Sequence, residues 1–81
     1  MDEKQILDRV GALVQEEHTL RERYAAGQLG EEEEQIRLRE LEESLDQCWD
    51  LLRQRRARKA AGENPNDAEV RSVSQVEGYL Q

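Results

Sequence analysis

Cysteine, proline and aromatic residues are scarce in this 81-residue sequence, which contains one cysteine, one proline and no phenylalanine. Cys48 therefore has no partner for an internal disulfide, which is typical of a protein from a reducing compartment. Long apolar runs are also missing, and a membrane-spanning helix needs about 20 consecutive apolar residues. The polar start at residues 1–5 lacks the basic and apolar regions of a signal peptide. We therefore expect a cytoplasmic protein that makes no contact with a membrane.

The overall composition is polar and acidic. Apolar residues make up 36% of the chain and charged residues 38%, a balance that suits long solvated helices with a narrow apolar seam. A chain of this length forms one small domain, with little room for a deep catalytic cleft. The formal net charge of −7 disfavours bulk binding of nucleic acid, because that binding depends on many Lys and Arg contacts to phosphates.

The first 26 residues carry an apolar pattern at alternating steps of four and three, which is the spacing of a coiled-coil seam. The seam positions are Ile6, Val10, Leu13, Glu17, Leu20 and Tyr24. Glu17 alone breaks the pattern. We expect it either to reach Arg37 or Ser44 on a facing helix or to be solvated, and a ligand role is the less favoured alternative.

A second seam follows a short connection bracketed by Gly27 and Gly30, where Gly27 suits a left-handed helix end. Its positions are Leu38, Leu41, Leu45, Cys48 and Leu52. Because the connection is short, the two helices, at about 2–26 and 31–61, must be antiparallel, with Ile6 near Leu52. The sequence therefore predicts an all-α, coiled-coil-like hairpin over residues 1–62. The acidic run at residues 31–34 complements the helix dipole.

The remaining residues, 63–81, form a tail of different character. Gly62 and Pro65 end the second helix, and the tail combines valines and serines in a pattern that fits either a short helix or an extended arm. Because an isolated hairpin has little core, we expect its wide apolar stripe to be covered, either by this tail or by a second copy in a four-helix bundle.

Residues that could support catalysis or metal binding are missing from the pattern. His18 is the only histidine, and no nucleophile, base and orienting group recur together. Cys48 lies on a seam position, where burial makes a thiol unreactive. We therefore expect a protein that is not an enzyme and that uses neither a cofactor nor a metal.

Positive charge is concentrated near the end of the second helix, at Arg53, Arg55, Arg56 and Arg58. The favoured interpretation is structural, with salt bridges to acidic residues that antiparallel pairing brings alongside, namely Asp2, Glu3 and Asp8. The alternative is a binding site for a small anion or a nucleotide, because guanidinium groups form two-point contacts with phosphates and carboxylates.

Several apolar residues exceed what one hairpin seam can bury, namely Leu7, Val14, Trp49 and Leu51. This surplus favours a module for protein interaction or self-association, with an unknown protein or a second copy of the chain as its partner. A single large aromatic residue on a charged helix is typical of an anchor for the tail, a dimer mate or a partner, and the favoured use of Trp49 is within its own protein. Tyr79 and Leu80 are the candidate residues of a clasp in the tail.

Two motifs support a family resemblance. Residues 45–56 read LDQCWDLLRQRR, and residues 76–81 read VEGYLQ. With these motifs the chain resembles a family of short actinobacterial proteins of unknown function, over nearly its whole length. The resemblance implies a bacterial cytoplasmic protein, and it assigns no catalytic or binding residue.

Overall fold

The computed structural model describes residues 1–80, except for the side chain of Leu80. Over these residues it consists of helices α1 (Glu3–Ala25), α2 (Glu31–Ala60) and α3 (Val73–Leu80), with a short 3-10 helix (Pro65–Asp67) before α3. Helices α1 and α2 pack against each other as an antiparallel hairpin. The prediction of an all-α hairpin is therefore confirmed.

The helix ends follow from local chemistry. The Asp2 side chain caps α1, since the Gln5 amide donates to Asp2 Oδ1 at 2.8 Å and the Asp2 amide donates to Gln5 Oε1 at 2.9 Å. Gly27 and Gly62 follow the ends of α1 and α2 with φ of 74° and 75°. Such positive φ values are accessible to glycine at little cost. Both positions therefore end a helix as the sequence predicts.

The core lies at the open end of the hairpin. It consists of Ile6, Leu51, Leu52 and Ala68, with Cys48 packed against it. The expected meeting of Ile6 with Leu52 is thus present. Leu51, however, belongs to this core and not to the surplus apolar stripe, because the start of the tail brings Ala68 over that side of α2. The tail therefore completes the core.

The closed end of the hairpin is packed more thinly. Leu13 and Leu20 are buried, whereas Leu38 and Leu41 are only partly buried because α1 covers one side of α2 there. The expectation that Tyr24 lies in the seam is wrong, since its side chain is exposed at the last turn of α1. Burial along the seam is thus uneven.

The tail forms a hook along α2. Gln54 Nε2 donates to the carbonyl of Glu69 at 2.8 Å, and Gln47 Nε2 donates to the carbonyl of Arg71 at 3.1 Å, so this segment runs antiparallel to α2. The chain then turns back, and α3 runs parallel to α2. The tail is thus extended in one part and helical in the next. Val76 is fully buried, so the tail docks on its own hairpin.

Candidate interaction surface

Arg55 joins three parts of the chain at the basic end of α2. Its Nη1 donates to the carbonyl of Met1 at 2.9 Å, to the carbonyl of Pro65 at 3.1 Å and to Asn66 Oδ1 at 2.9 Å. A guanidinium with several donors suits this role, because it satisfies acceptors from different segments at once. Arg55 therefore fixes the chain start and the 3-10 helix against α2.

The other predicted arginines divide between tail contacts and solvent. Arg53 Nε donates to Tyr79 Oη at 3.2 Å, and the guanidinium carbon lies 5.9 Å from the ring centroid. Arg58 pairs with Glu63 at 3.1 Å. Arg56 lines a shallow cavity of about 150 Å³ to which Glu3 also contributes.

The expected salt bridges from these arginines to the start of α1 are not formed within residues 1–80. Asp2 is used as the helix cap, and Asp8 pairs with Lys4 at 3.2 Å on its own helix. Glu3 forms no ion pair with an arginine there either. Asp8 and Arg58 thus form ion pairs with residues near them in sequence, Lys4 and Glu63, and not with each other's helix.

Asp50 is a buried carboxylate that the sequence reasoning missed. Its residue surface is 1% exposed, and its oxygens accept from Gln54 Nε2 at 2.9 Å and from Tyr79 Oη at 3.2 Å. Arg71 Nε lies 3.6 Å away as the ionic partner. A buried charge requires such partners to offset its lost hydration. Asp50 thus links α2 to both limbs of the tail.

A second carboxyl contact joins α2 to α3, between Asp46 and Glu77. The pKa of Glu77 is raised above its ordinary value of 4.5, first by a hydrogen bond with Asp46, then by burial and by the charges of Asp46 and Glu43, while Arg39 opposes the shift. Glu77 Oε1 is shielded from solvent and meets no donor. Two carboxyl groups hydrogen-bond only if one keeps its proton. This contact therefore favours a protonated Glu77.

The expectation that Trp49 anchors the tail, a dimer mate or a partner stays a prediction. The residue surface of Trp49 is 41% exposed. Tyr79 does bind α2, through Asp50 and Arg53. Leu80 belongs to α3, but its side chain lies outside the described residues. Of the three candidate interaction residues, Tyr79 thus joins the tail to α2 and Trp49 is partly exposed.

One broad side of the hairpin is an open groove between α1 and α2. The groove has a volume of about 510 Å³ and is lined from α1 by Arg9 and Glu16 and from α2 by Glu40 and Ser44, among others. Buried leucines contribute to its lining, and its rim is charged. The groove therefore combines an apolar floor with a charged rim.

The opposite side of the hairpin carries three exposed apolar side chains. Successive residues of an α-helix are rotated by about 100°, so Leu7 and Val14, each two residues before Arg9 and Glu16, point about 160° away from them. Trp49 lies nine residues after Glu40, which is half a turn away. Leu7 is 48% and Val14 51% exposed. We call these three residues, Leu7, Val14 and Trp49, the apolar face.

Cys48 and His18 show no sign of reactive chemistry. Burial raises the pKa of the Cys48 thiol, with the nearby Arg9 charge opposing it, so the reactive thiolate is disfavoured. His18 Nε2 lies 2.9 Å from Glu22 on the same helix. Within residues 1–80 no three His, Cys, Asp or Glu residues are grouped so that they could hold a metal ion.

Glu17 takes its partner from its own helix. Arg21 Nη2 lies 3.2 Å from Glu17 Oε1, so the expected contact with Arg37 or Ser44 on α2 is replaced by an ion pair one turn away. A pair at this spacing stabilises a helix by only about 0.2–0.5 kcal/mol. The break in the seam is thus accommodated at the helix surface.

The last observations concern membrane spans and the similarity of the chain to known proteins. None of the helices in residues 1–80 has the length and apolar content to span a bilayer. The chain is 49% identical over 77 residues to the uncharacterized protein Rv0898c of Mycobacterium tuberculosis (strain H37Rv), covering 95% of this chain and 88% of that protein. The uncharacterized protein Mb0922c of Mycobacterium bovis matches with the same values.

No solved structure matches the chain. The model of a family described as "Protein of unknown function (DUF2630)" matches residues 2–81. This match spans the hairpin and the tail together, including both motifs on which the resemblance rests. The resemblance to a family of short proteins of unknown function is therefore confirmed, and the chain belongs to the DUF2630 family.

Proposed function

We propose that this protein is a non-catalytic interaction module that binds another helical surface through its apolar face. The observation that carries the proposal is that three large apolar side chains share one broad side of the hairpin and stay exposed after the tail has docked. Single exposed apolar residues are normal on protein surfaces, but a cluster on one side is typical of an interface. Trp49 also belongs to the residue types that dominate binding energy at interfaces.

The position of the tail supports this proposal. The tail buries Val76 and Ala68 while Trp49 stays 41% exposed, so part of the apolar face remains open after the tail has docked. The basic end of α2 is meanwhile used within the chain, because Arg55 binds Met1 and Pro65. This use of guanidinium donors favours a structural role there over an anion site.

The proposal is tested by placing a photoactivatable aromatic residue at Leu7 or at Trp49 and irradiating cells that produce the protein. We expect a covalent product from both positions, identified by peptide mass. Ile36 is the matched control, because it is 53% exposed on α2 and points about 140° away from Trp49. Products that are absent, or equally abundant from Ile36, would contradict the proposal.

A further inference from the structure

The charges that flank Trp49 are arranged symmetrically about it. Glu42 precedes Trp49 by seven residues and Arg56 follows it by seven, so all three lie on one side of α2, two turns apart. Glu42 and Arg56 are exposed, and neither forms an ion pair within the described residues. One opposite charge is thus available on each side of the aromatic residue.

We infer that the partner of the apolar face is a second copy of this chain, related by a two-fold axis that crosses α2 near Trp49. This inference rests on the proposed function and names its partner. An axis across the helices makes the two α2 helices antiparallel, so Glu42 of each copy meets Arg56 of the other. An isologous interface of this kind repeats every contact twice.

The alternative two-fold arrangement, with the axis along the helices, does not use these charges. It places α2 against α1 of the other copy. Glu42 of one copy then does not meet Arg56 of the other. A parallel pairing of the α2 helices would bring like charges together, which is destabilising. Charge complementarity therefore selects the antiparallel arrangement.

The hairpin offers enough surface for this contact. The molecule measures 51 × 26 × 13 Å, so its broad side is larger than the roughly 800 Å² that each partner contributes to an interface of standard size. Leu7 and Trp49 directly follow Ile6 and Cys48, which belong to or pack against one core, so both lie near the open end of the hairpin. The apolar centre and the charged flanks thus resemble the core and rim of a protein interface.

The inference is tested by charge reversal on the purified full chain, with solution mass measured by light scattering over a range of concentrations. We expect the parent to dimerise and Glu42→Arg or Arg56→Glu alone to weaken the dimer roughly tenfold, because each change places like charges together in two symmetric pairs. The double variant Glu42→Arg/Arg56→Glu restores the parent affinity. Mixing the two single variants gives heterodimers.

Glu40→Arg is the matched control, since it makes the same charge change on the groove side of α2 and is expected to leave the dimer unchanged. A monomeric parent at every soluble concentration overturns the inference. A dimer that Trp49→Ala dissociates but that the reversals leave unchanged overturns the antiparallel pairing. Photo-crosslinks from Leu7 to a different protein would sustain the proposed function while excluding the second copy, so the two failures are distinguishable.

Discussion

Replacing Asp50 by alanine tests whether the buried carboxylate holds the tail against α2. The change removes two hydrogen bonds to a charged acceptor, from Gln54 at 2.9 Å and from Tyr79 at 3.2 Å. Such bonds contribute about 1.5–3 kcal/mol each when the partner is left unsatisfied. Here Tyr79 is half exposed and regains water, and the desolvation cost of the carboxylate disappears. We therefore expect tail docking to weaken by about 2 kcal/mol.

The effect is measured by hydrogen exchange of the backbone amides in α3 at neutral pH. A loss of about 2 kcal/mol in the opening free energy corresponds to roughly 30-fold faster exchange. The amides in the middle of α1 should change much less, because within residues 1–80 the backbone of α1 does not approach that of α3. Tyr79→Phe, which removes one of the two bonds, should give an intermediate acceleration.

Asp8→Ala is the control for this experiment, because Asp8 is an exposed carboxylate paired with Lys4 at 3.2 Å. Exposed pairs of this kind contribute about 0.3–0.5 kcal/mol, so α3 exchange should stay at the parent rate. If a folded Asp50→Ala variant also keeps the parent rate in α3, then the carboxylate does not hold the tail, and the reasoning from its contacts fails.

Two further predictions concern the core and the carboxyl pair. Ile6→Ala should lower the free energy of unfolding by about 2–5 kcal/mol in urea titration, because Ile6 is fully buried at the centre of the core; a change below about 1 kcal/mol would refute this core assignment. Since the pKa of Glu77 is raised on folding, its contribution is greatest below its ordinary pKa and is lost as pH rises through the raised value. Protection of α3 should therefore fall between acidic and neutral pH, and Glu77→Gln should remove most of that fall. Equal falls in both proteins would contradict a shared proton with Asp46.

The hairpin is predictable from sequence because its determinants are local or periodic. Gly27 and Gly62 end helices through a backbone conformation that few other residues adopt. Ile6 and Leu52 meet because a short connection leaves only one antiparallel register. These features require no knowledge of the side chains around them.

The contacts of the tail could not be predicted in the same way. Asp50 lies off the seam of α2 and precedes two leucines, so its spacing matches an ordinary solvated charge. Its burial depends on where the tail returns, which is set by several long-range contacts acting together. No local signal marks it, because Tyr79, which donates to it, is half exposed and its hydroxyl has water as an alternative partner.

The surroundings of Trp49 could not be predicted from the sequence either. Its size and isolation correctly marked it as unusual, but periodicity does not say which side of α2 the tail will cover. Glu17 also found its partner one turn away in Arg21, because a flexible pair on one helix forms without any tertiary arrangement.

Helix α2 is the single element that every other helix touches, since among the described residues α1, the 3-10 helix and α3 contact α2 but not one another. A perturbation in α1 therefore reaches α3 through α2, or through Ala68 of the tail, which shares the core with Ile6. Leu7 and Tyr79 lie on different helices that both pack on α2, so we expect the free-energy effects of substitutions at these two positions to be close to additive. The two flanks of the molecule are thus free to diverge independently in evolution, while α2 must satisfy both at once.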